Sequence, residues 1–279
     1  MLTLGGKIVK AMSFEIQGVL THHRAPIEGI YASLAQHVGL PNAPNAEEFK
    51  PAFRESYAKT MKDFPCYRYP NDPALWSSRR WWRKLCAEVL LATNRNYSEA
   101  EVDRFFRAVY QHYGGPAGYA VFPDAADLLK WLADLPKTGT PPSLGVTSNC
   151  STRTIDTTLP VLGLSQQMHF FTCSQEVGVD KPSLQMFAAT LRAIQHHSPS
   201  IQKNEVLHIG TKSDYVAARQ FGFQALFLDR SHDSRVIPRA VEPANEGFEG
   251  EGDDLHLEYH LQTNTIKDLA ALRQLLQVA

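Results

Sequence analysis

The sequence predicts an α/β protein: a three-layer core on a parallel sheet, with an all-helical segment inserted near its start. Two textures along the chain carry this expectation. From about residue 120 onward, short apolar runs that read as strands alternate with stretches of helical periodicity, the order of a parallel sheet covered on both faces by helices. Between residues 22 and 119 the apolar residues recur at helix spacing alone, with Pro- and Gly-rich breaks between segments. The expected division is 1–21 with 120–279 for the core and 22–119 for the insert.

Taken in order, Ile8, Val9, Met12, Phe14 and Ile16 make residues 7–16 a short buried strand, ended by Gly18. In the insert, Ile30, Leu34 and Val38 share a helix face, as do Trp82, Leu85 and Val89, and then Val102, Phe105, Phe106 and Val109. Arg79-Arg80-Trp81-Trp82-Arg83-Lys84 joins basic and aromatic residues, yet reads better as an amphipathic helix with Trp82 and Leu85 inward than as a nucleic-acid contact. A helix opening at Pro123-Asp124 runs through Leu128, Leu129, Leu132 and Leu135, and residues 144–147 then read as a strand. Leu159 and Leu162 belong to a helix ending at Gly163. Strands at 170–173, 206–209 and 225–228 alternate with helices at 184–194 and 214–221, the latter closed by Gly222. The acidic, glycine-rich run 246–254, within 231–263, reads as a solvated loop, and residues 266–276 as a last helix.

Composition narrows the function classes. Lys and Arg total 28 against 29 Asp and Glu, a net charge of -1, so no global field draws the chain to nucleic acid or an anionic membrane, and neither partner is expected. With 43% hydrophobic residues it can bury a full core, and no apolar run approaches the roughly 20 residues that cross a bilayer. Cys66, Cys86, Cys150 and Cys173 lack CxxC spacing, which points to free thiols in a reducing compartment. A soluble, intracellular protein is expected, cytoplasmic by default, with mitochondrion and nucleus left open. His22-His23 and His196-His197 have no converging ligands of metal-site spacing and read as solvent-exposed.

Ligands of such a sheet sit at the carboxyl ends of its strands. Four segments lie there: Phe14-Glu15-Ile16-Gln17-Gly18-Val19-Leu20, Gly145-Val146-Thr147-Ser148-Asn149, Val179-Asp180-Lys181-Pro182, and His208-Ile209-Gly210-Thr211-Lys212-Ser213-Asp214. In this order, with a helical insert after the first, the chain resembles the haloacid dehalogenase (HAD) superfamily carrying a helical cap, from about residue 7 to residue 276. Arg80-Trp81-Trp82 and Lys181-Pro182 are similar to a eukaryotic subgroup of it.

The resemblance implies a Rossmann-like HAD core and a phosphoryl-transfer site. In the family the first strand ends in Asp-x-Asp-Gly-Thr, where one carboxylate attacks phosphorus and the second moves the proton. A Ser or Thr and a Lys hold the phosphoryl oxygens, and acids after the last strand join the first carboxylate on Mg²⁺. Carried over by position, the nucleophile is Glu15 and the acid/base is Gln17, both degenerate. The phosphate-binding positions are Thr147, Ser148, Asn149 and Lys181. Asp214 is the one metal acid kept, Thr211 stands where the other is lost, Val19 replaces the turn Thr, and the loop before Asp214 is short.

These changes weigh against catalysis. An amide does not titrate near neutrality, so Gln17 forfeits a term worth roughly 10²- to 10⁴-fold, and the longer stem of Glu15 displaces its carboxylate by a distance that can cost about 10²-fold. Plainer roles stand beside the catalytic ones: Thr147 and Ser148 as strand-end backbone partners, and Glu15 as either a surrogate nucleophile or the ion-pair partner of Lys181. The expectation is a HAD-fold pseudoenzyme that binds a phosphorylated small molecule, or a protein partner through the cap or loop 231–263. No cofactor is expected, and Mg²⁺ only with residual activity. The alternatives are a slow Mg²⁺-dependent phosphatase and a structural subunit of a larger assembly.

Overall fold

A computed structural model describes residues 2–69, 77–135, 141–236 and 261–278. The chain opens with strands β1 (Leu2–Leu4), β2 (Lys7–Val9) and β3 (Ala11–Phe14). Residues 7–16 are therefore not one strand. β2 pairs antiparallel with β1, and only β3 enters the main sheet. A short β4 (Thr21–His23) leads into helices α1 (Ile27–His37), α2 (Ala46–Asp63), α3 (Ser78–Ala92) and α4 (Glu99–His112). β5 (Tyr119–Val121) brings the chain back and pairs antiparallel with β4, so both ends of the helical segment are tied in one ribbon.

The core follows as α5 (Pro123–Ala133), β6 (Ser143–Ser148), β7 (Phe170–Cys173), α6 (Ser174–Val177), α7 (Leu184–His197), β8 (Val206–Gly210), α8 (Lys212–Phe221) and β9 (Gln224–Leu228). It closes with β10 (Thr265–Ile266), α9 (Leu269–Leu275) and β11 (Leu276–Val278). The six strands of the main sheet run parallel in the order β10-β9-β8-β3-β6-β7, the doubly wound arrangement predicted. Residues 266–276 are not one helix: Asp268 caps α9, and from Leu276 the chain extends to pair with β1.

Side-chain alternation along β3 sorts the layers. Met12 and Phe14 pack with Leu128, Leu129, Leu269 and Leu272 of α5 and α9, while Ala11 joins Phe187, Ile194 and Ala217 of α7 and α8 on the other face. The helices α1–α4 bury a separate core around Tyr31, Phe49, Trp81 and Phe105. Capping boxes at Asn45 with Glu48 and at Ser98 with Glu101 set the starts of α2 and α4. Trp81, fully buried, is the indole that fills this core, and Trp82 is only partly covered, a one-residue correction to the predicted helix face. His22 and His23 are half-buried in β4 against Phe122, Tyr113 and Tyr119, so the prediction of solvent-exposed histidines holds only for His196 and His197.

The four cysteines are buried and unpaired. Among the described residues no helix is long and apolar enough to cross a membrane. The acidic run 246–254 lies outside the described residues.

Candidate active site

Beyond Phe14 the β3 ladder continues for one residue, with Glu15 N donating to Ile209 O at 2.9 Å, and the chain then turns sharply. Gly18 sits in that turn at φ 85°, a conformation that side chains disfavour, and its N–H donates to Thr21 O at 2.7 Å. The period of two puts Glu15 on the same face as Ser13, at the carboxyl edge of the sheet.

There the structure assembles a closed ion-pair triad. Lys181 Nζ lies 2.7 Å from Glu15 Oε2 and 3.0 Å from Asp214 Oδ1. Glu15 Oε1 accepts from Ile16 N at 2.6 Å and from the Ser148 hydroxyl, and Asp214 Oδ2 accepts from Thr211 N at 2.9 Å. Glu15 and Lys181 are each 5% exposed and Asp214 is 3% exposed, so the charges are satisfied by one another rather than by water. Burial pulls the Lys181 ammonium down, but the Asp214 and Glu15 carboxylates outweigh it and hold the group above its ordinary value.

The other predicted site residues divide into those that support this triad and those that lie elsewhere. Asn149 makes a reciprocal amide bridge with the Lys181 backbone, Lys181 N donating to Oδ1 at 2.7 Å and Nδ2 donating to Lys181 O at 2.9 Å. It splints Lys181 to the end of β6. Gln17 lies in the turn, half-buried, where its Oε1 accepts from Thr21 Oγ1 at 3.3 Å. Thr211 caps α8: its hydroxyl accepts from Asp214 N at 3.4 Å while the Asp214 carboxylate returns to Thr211 N. This capping box starts the helix directly after β8.

Thr147 does not join the triad. It stands on the Gly145 face of β6, fully buried, its Oγ1 2.7 Å from Ser13 Oγ and 2.7 Å from Thr190 Oγ1. Ser148, one residue later, is the strand-end hydroxyl that reaches Glu15. Two polar residues unmarked by motif reading complete the inner network. Ser13 Oγ is 3.2 Å from His208 Nδ1, and His208 Nε2 is buried without a hydrogen-bond partner among the described residues. The available signal was a Ser and a His inside otherwise apolar central strands.

Burial, reinforced by the Lys181 charge and opposed by Glu15, holds His208 well below its ordinary value, so it is neutral in the folded protein. Unfolded, the imidazole takes up a proton below about pH 6.5, so the unfolded state binds more protons there and stability falls as the pH drops. This group contributes a slope of up to about 1.4 kcal/mol per pH unit. Urea titrations between pH 7 and pH 5 are expected to show a shallower loss in His208→Gln than in the parent, and parallel curves would remove His208 from the account.

The helical segment seats against the same edge. The Arg68 guanidinium donates to Gln175 O and to Glu176 O, the latter at 2.5 Å, and Gln175 Nε2 donates to Tyr67 O at 3.4 Å. Cys66 Sγ meets Asp180 Oδ2 at 3.5 Å, beside Lys181. Cys66 and Tyr67 adopt φ of 53° and 58°, left-handed values that cost about 1–3 kcal/mol each and persist because these contacts hold them.

Mg²⁺ needs several free oxygen ligands. Both oxygens of Glu15 and of Asp214 are already engaged by Lys181, Ser148 and backbone N–H groups, and Thr211 offers one neutral oxygen that caps its own helix. Among the described residues no three His, Cys, Asp or Glu side chains converge as ligands. This donor set does not fit the ion.

Comparison with known proteins agrees with this architecture. The family described as haloacid dehalogenase-like hydrolase matches residues 9–222. Haloacid dehalogenase-like hydrolase domain-containing protein 3 of Homo sapiens is 25% identical over 237 residues, spanning 84% of this chain and 85% of that protein. The Mus musculus protein of the same name is 25% identical over 235 residues, 82% of this chain and 86% of its own length. Among solved structures, the L-2-haloacid dehalogenase of Xanthobacter autotrophicus superposes with a TM-score of 0.56 at 17% identity, over 96% of this chain and 98% of that one. At that identity the likeness is one of fold.

Proposed function

We propose, from the premise that the chain belongs to the haloacid dehalogenase-like hydrolase family, that it has kept the family's fold as a binding protein and does not turn over phosphate esters. The observation that supports this reading is the buried Glu15–Lys181–Asp214 triad. Lys181 is the cation expected to receive a phosphoryl group, and two carboxylates already contact it and outweigh its charge. Gln17, at the proton-carrying position, has no titrating group, and the carboxylates that would hold Mg²⁺ are spent on internal contacts. A phosphorylated ligand would have to enter a buried site beside two carboxylates, which repel it, so a protein partner is favoured over a phosphometabolite. A slow hydrolase is the second reading, favoured by the Glu15 carboxylate lying beside Ser148 and Lys181.

One assay separates them. With an aryl phosphate and Mg²⁺, the purified protein is expected to show no turnover that disappears in Glu15→Gln, and inorganic phosphate is expected to leave its melting temperature unchanged. Turnover that needs both Mg²⁺ and Glu15 would establish the hydrolase instead. A phosphate-induced rise in melting temperature without turnover would restore the small-molecule ligand.

A further inference from the structure

A cluster of unmatched positive charge among the described residues lies on the helical segment, away from the triad. A groove of about 190 Å³ between α3 and α4 is lined by Arg79, Arg80, Arg83, Asp103, Phe106 and Arg107. Arg83 is matched, its Nε 2.7 Å from Asp103 Oδ1 and its Nη2 2.6 Å from Glu99 Oε2. Arg79, Arg80 and Arg107 are exposed and have no acidic partner among the described residues. Three unbalanced guanidinium groups in one groove contrast with a chain whose net charge is -1.

Aromatic rings fix where two of these groups point. The Arg79 guanidinium carbon lies 5.2 Å from the Phe106 ring centre and 5.3 Å from that of Tyr110, and Arg80 lies 5.9 Å from Tyr69. Tyr110 is shared with Arg153 of the core, 3.4 Å from its ring centre, so the positive field continues across the seam between the two layers. Burial, with the like charge of Arg79 adding to it, holds Arg153 below its ordinary value. A larger hollow of about 420 Å³ beside α5 and α9 differs in this respect, because Arg230 pairs with Asp124 at 2.9 Å and Arg235 with Asp233 at 2.6 Å.

We propose that the α3–α4 groove docks an acidic segment of a protein partner; this rests on the reading of the chain as a binding protein. Planar guanidinium forks carried at spaced points on two helices match a run of carboxylates, each able to accept two parallel hydrogen bonds. Nucleic acid is disfavoured because Phe106, the ring in the groove, is 3% exposed and offers no face on which a base could stack. The groove is also short for a polymer held chiefly by phosphate spacing.

The test uses the full chain and a fluorescein-labelled hexaglutamate peptide, read by anisotropy. Binding is expected, weakening as salt rises, and at least about tenfold weaker in Arg79→Glu/Arg107→Glu, whose melting temperature stays at the parent value. Arg79→Gln/Arg107→Gln is expected to fall between the two, which separates charge from damage to the fold. No peptide binding by the parent, binding indifferent to the substitutions, or tighter binding of a labelled oligothymidine would each overturn the docking site. The aryl phosphate assay on the same preparations keeps the two ideas apart. Failure of the peptide with hydrolysis still absent rejects the groove and leaves the reading of the cleft standing, whereas Glu15-dependent hydrolysis rejects that reading whatever the peptide does.

Discussion

Lys181→Met is expected to cost about 3–5 kcal/mol of folding stability, the largest effect of any single substitution at the candidate site. The reason is electrostatic rather than steric. Methionine has nearly the length of lysine, but its arrival leaves the Glu15 and Asp214 carboxylates buried at 5% and 3% exposure without the cation that both contact. The protein must then protonate a carboxyl, admit water or loosen the strand ends. The triple variant Lys181→Met/Glu15→Gln/Asp214→Asn removes every charge together and is expected to recover much of the loss, since uncharged replacements of a buried ion-pair network are often near neutral. Urea unfolding of the three proteins measures this. A single-variant loss below about 1 kcal/mol would mean that Lys181 reaches solvent and that the triad is open.

The second large effect is expected at Gly145, in the middle of β6. Its register partner across the ladder is Phe170 of β7, and a methyl group on Gly145 would sit inside 3.0 Å of both the Phe170 carbonyl oxygen and its ring. The ring can shift, but the carbonyl belongs to the sheet. Gly145→Ala is therefore expected to destabilise by about 1–3 kcal/mol, and adding Phe170→Leu is expected to return only part of it. Full recovery in the double variant would place the conflict wholly in the ring. Because β6 ends at Ser148 and leads directly into Asn149, movement here is expected to disturb the hold on Glu15 and Lys181 as well.

The parts of this protein that were legible in its sequence are those written in long-period patterns. Leu144, Val146, Leu207, Ile209, Leu226 and Leu228 announce central strands because a sheet covered on both sides admits little else, and the order of the four strand-end segments pointed to the edge where Glu15, Lys181 and Asp214 meet. The Glu15 to Lys181 contact was one of two readings of Glu15 that the family resemblance implied, and the structure brings the two together. What escaped depended on a shift of one residue or on distant partners. Trp81 and Trp82 are neighbours on a helix, and only packing decides which faces inward. Thr147 and Ser148 point to different surroundings because strand alternation separates them, and the register that fixes this is set by β3 and β7. Thr211 and Asp214 read as remnants of a metal site, while their spacing of three is also that of a helix cap, which the structure shows beside the Asp214 contact to Lys181. β1 and β11 are three residues each, and their pairing joins the two ends of the chain, beyond the reach of any local pattern.

The strand order has a consequence for how the chain takes shape as it is made. β3 precedes both of its neighbours by a long stretch of chain, since they begin at Ser143 and Val206, so the middle of the sheet must wait until those strands are made. The helices between Ile27 and His112 need no such delay, since their apolar faces meet one another. On the ribosome, then, the helical bundle is expected to condense before the later-encoded layer arrives, and the Glu15 end of β3 lacks its ion-pair partners until Lys181 and Asp214 have emerged.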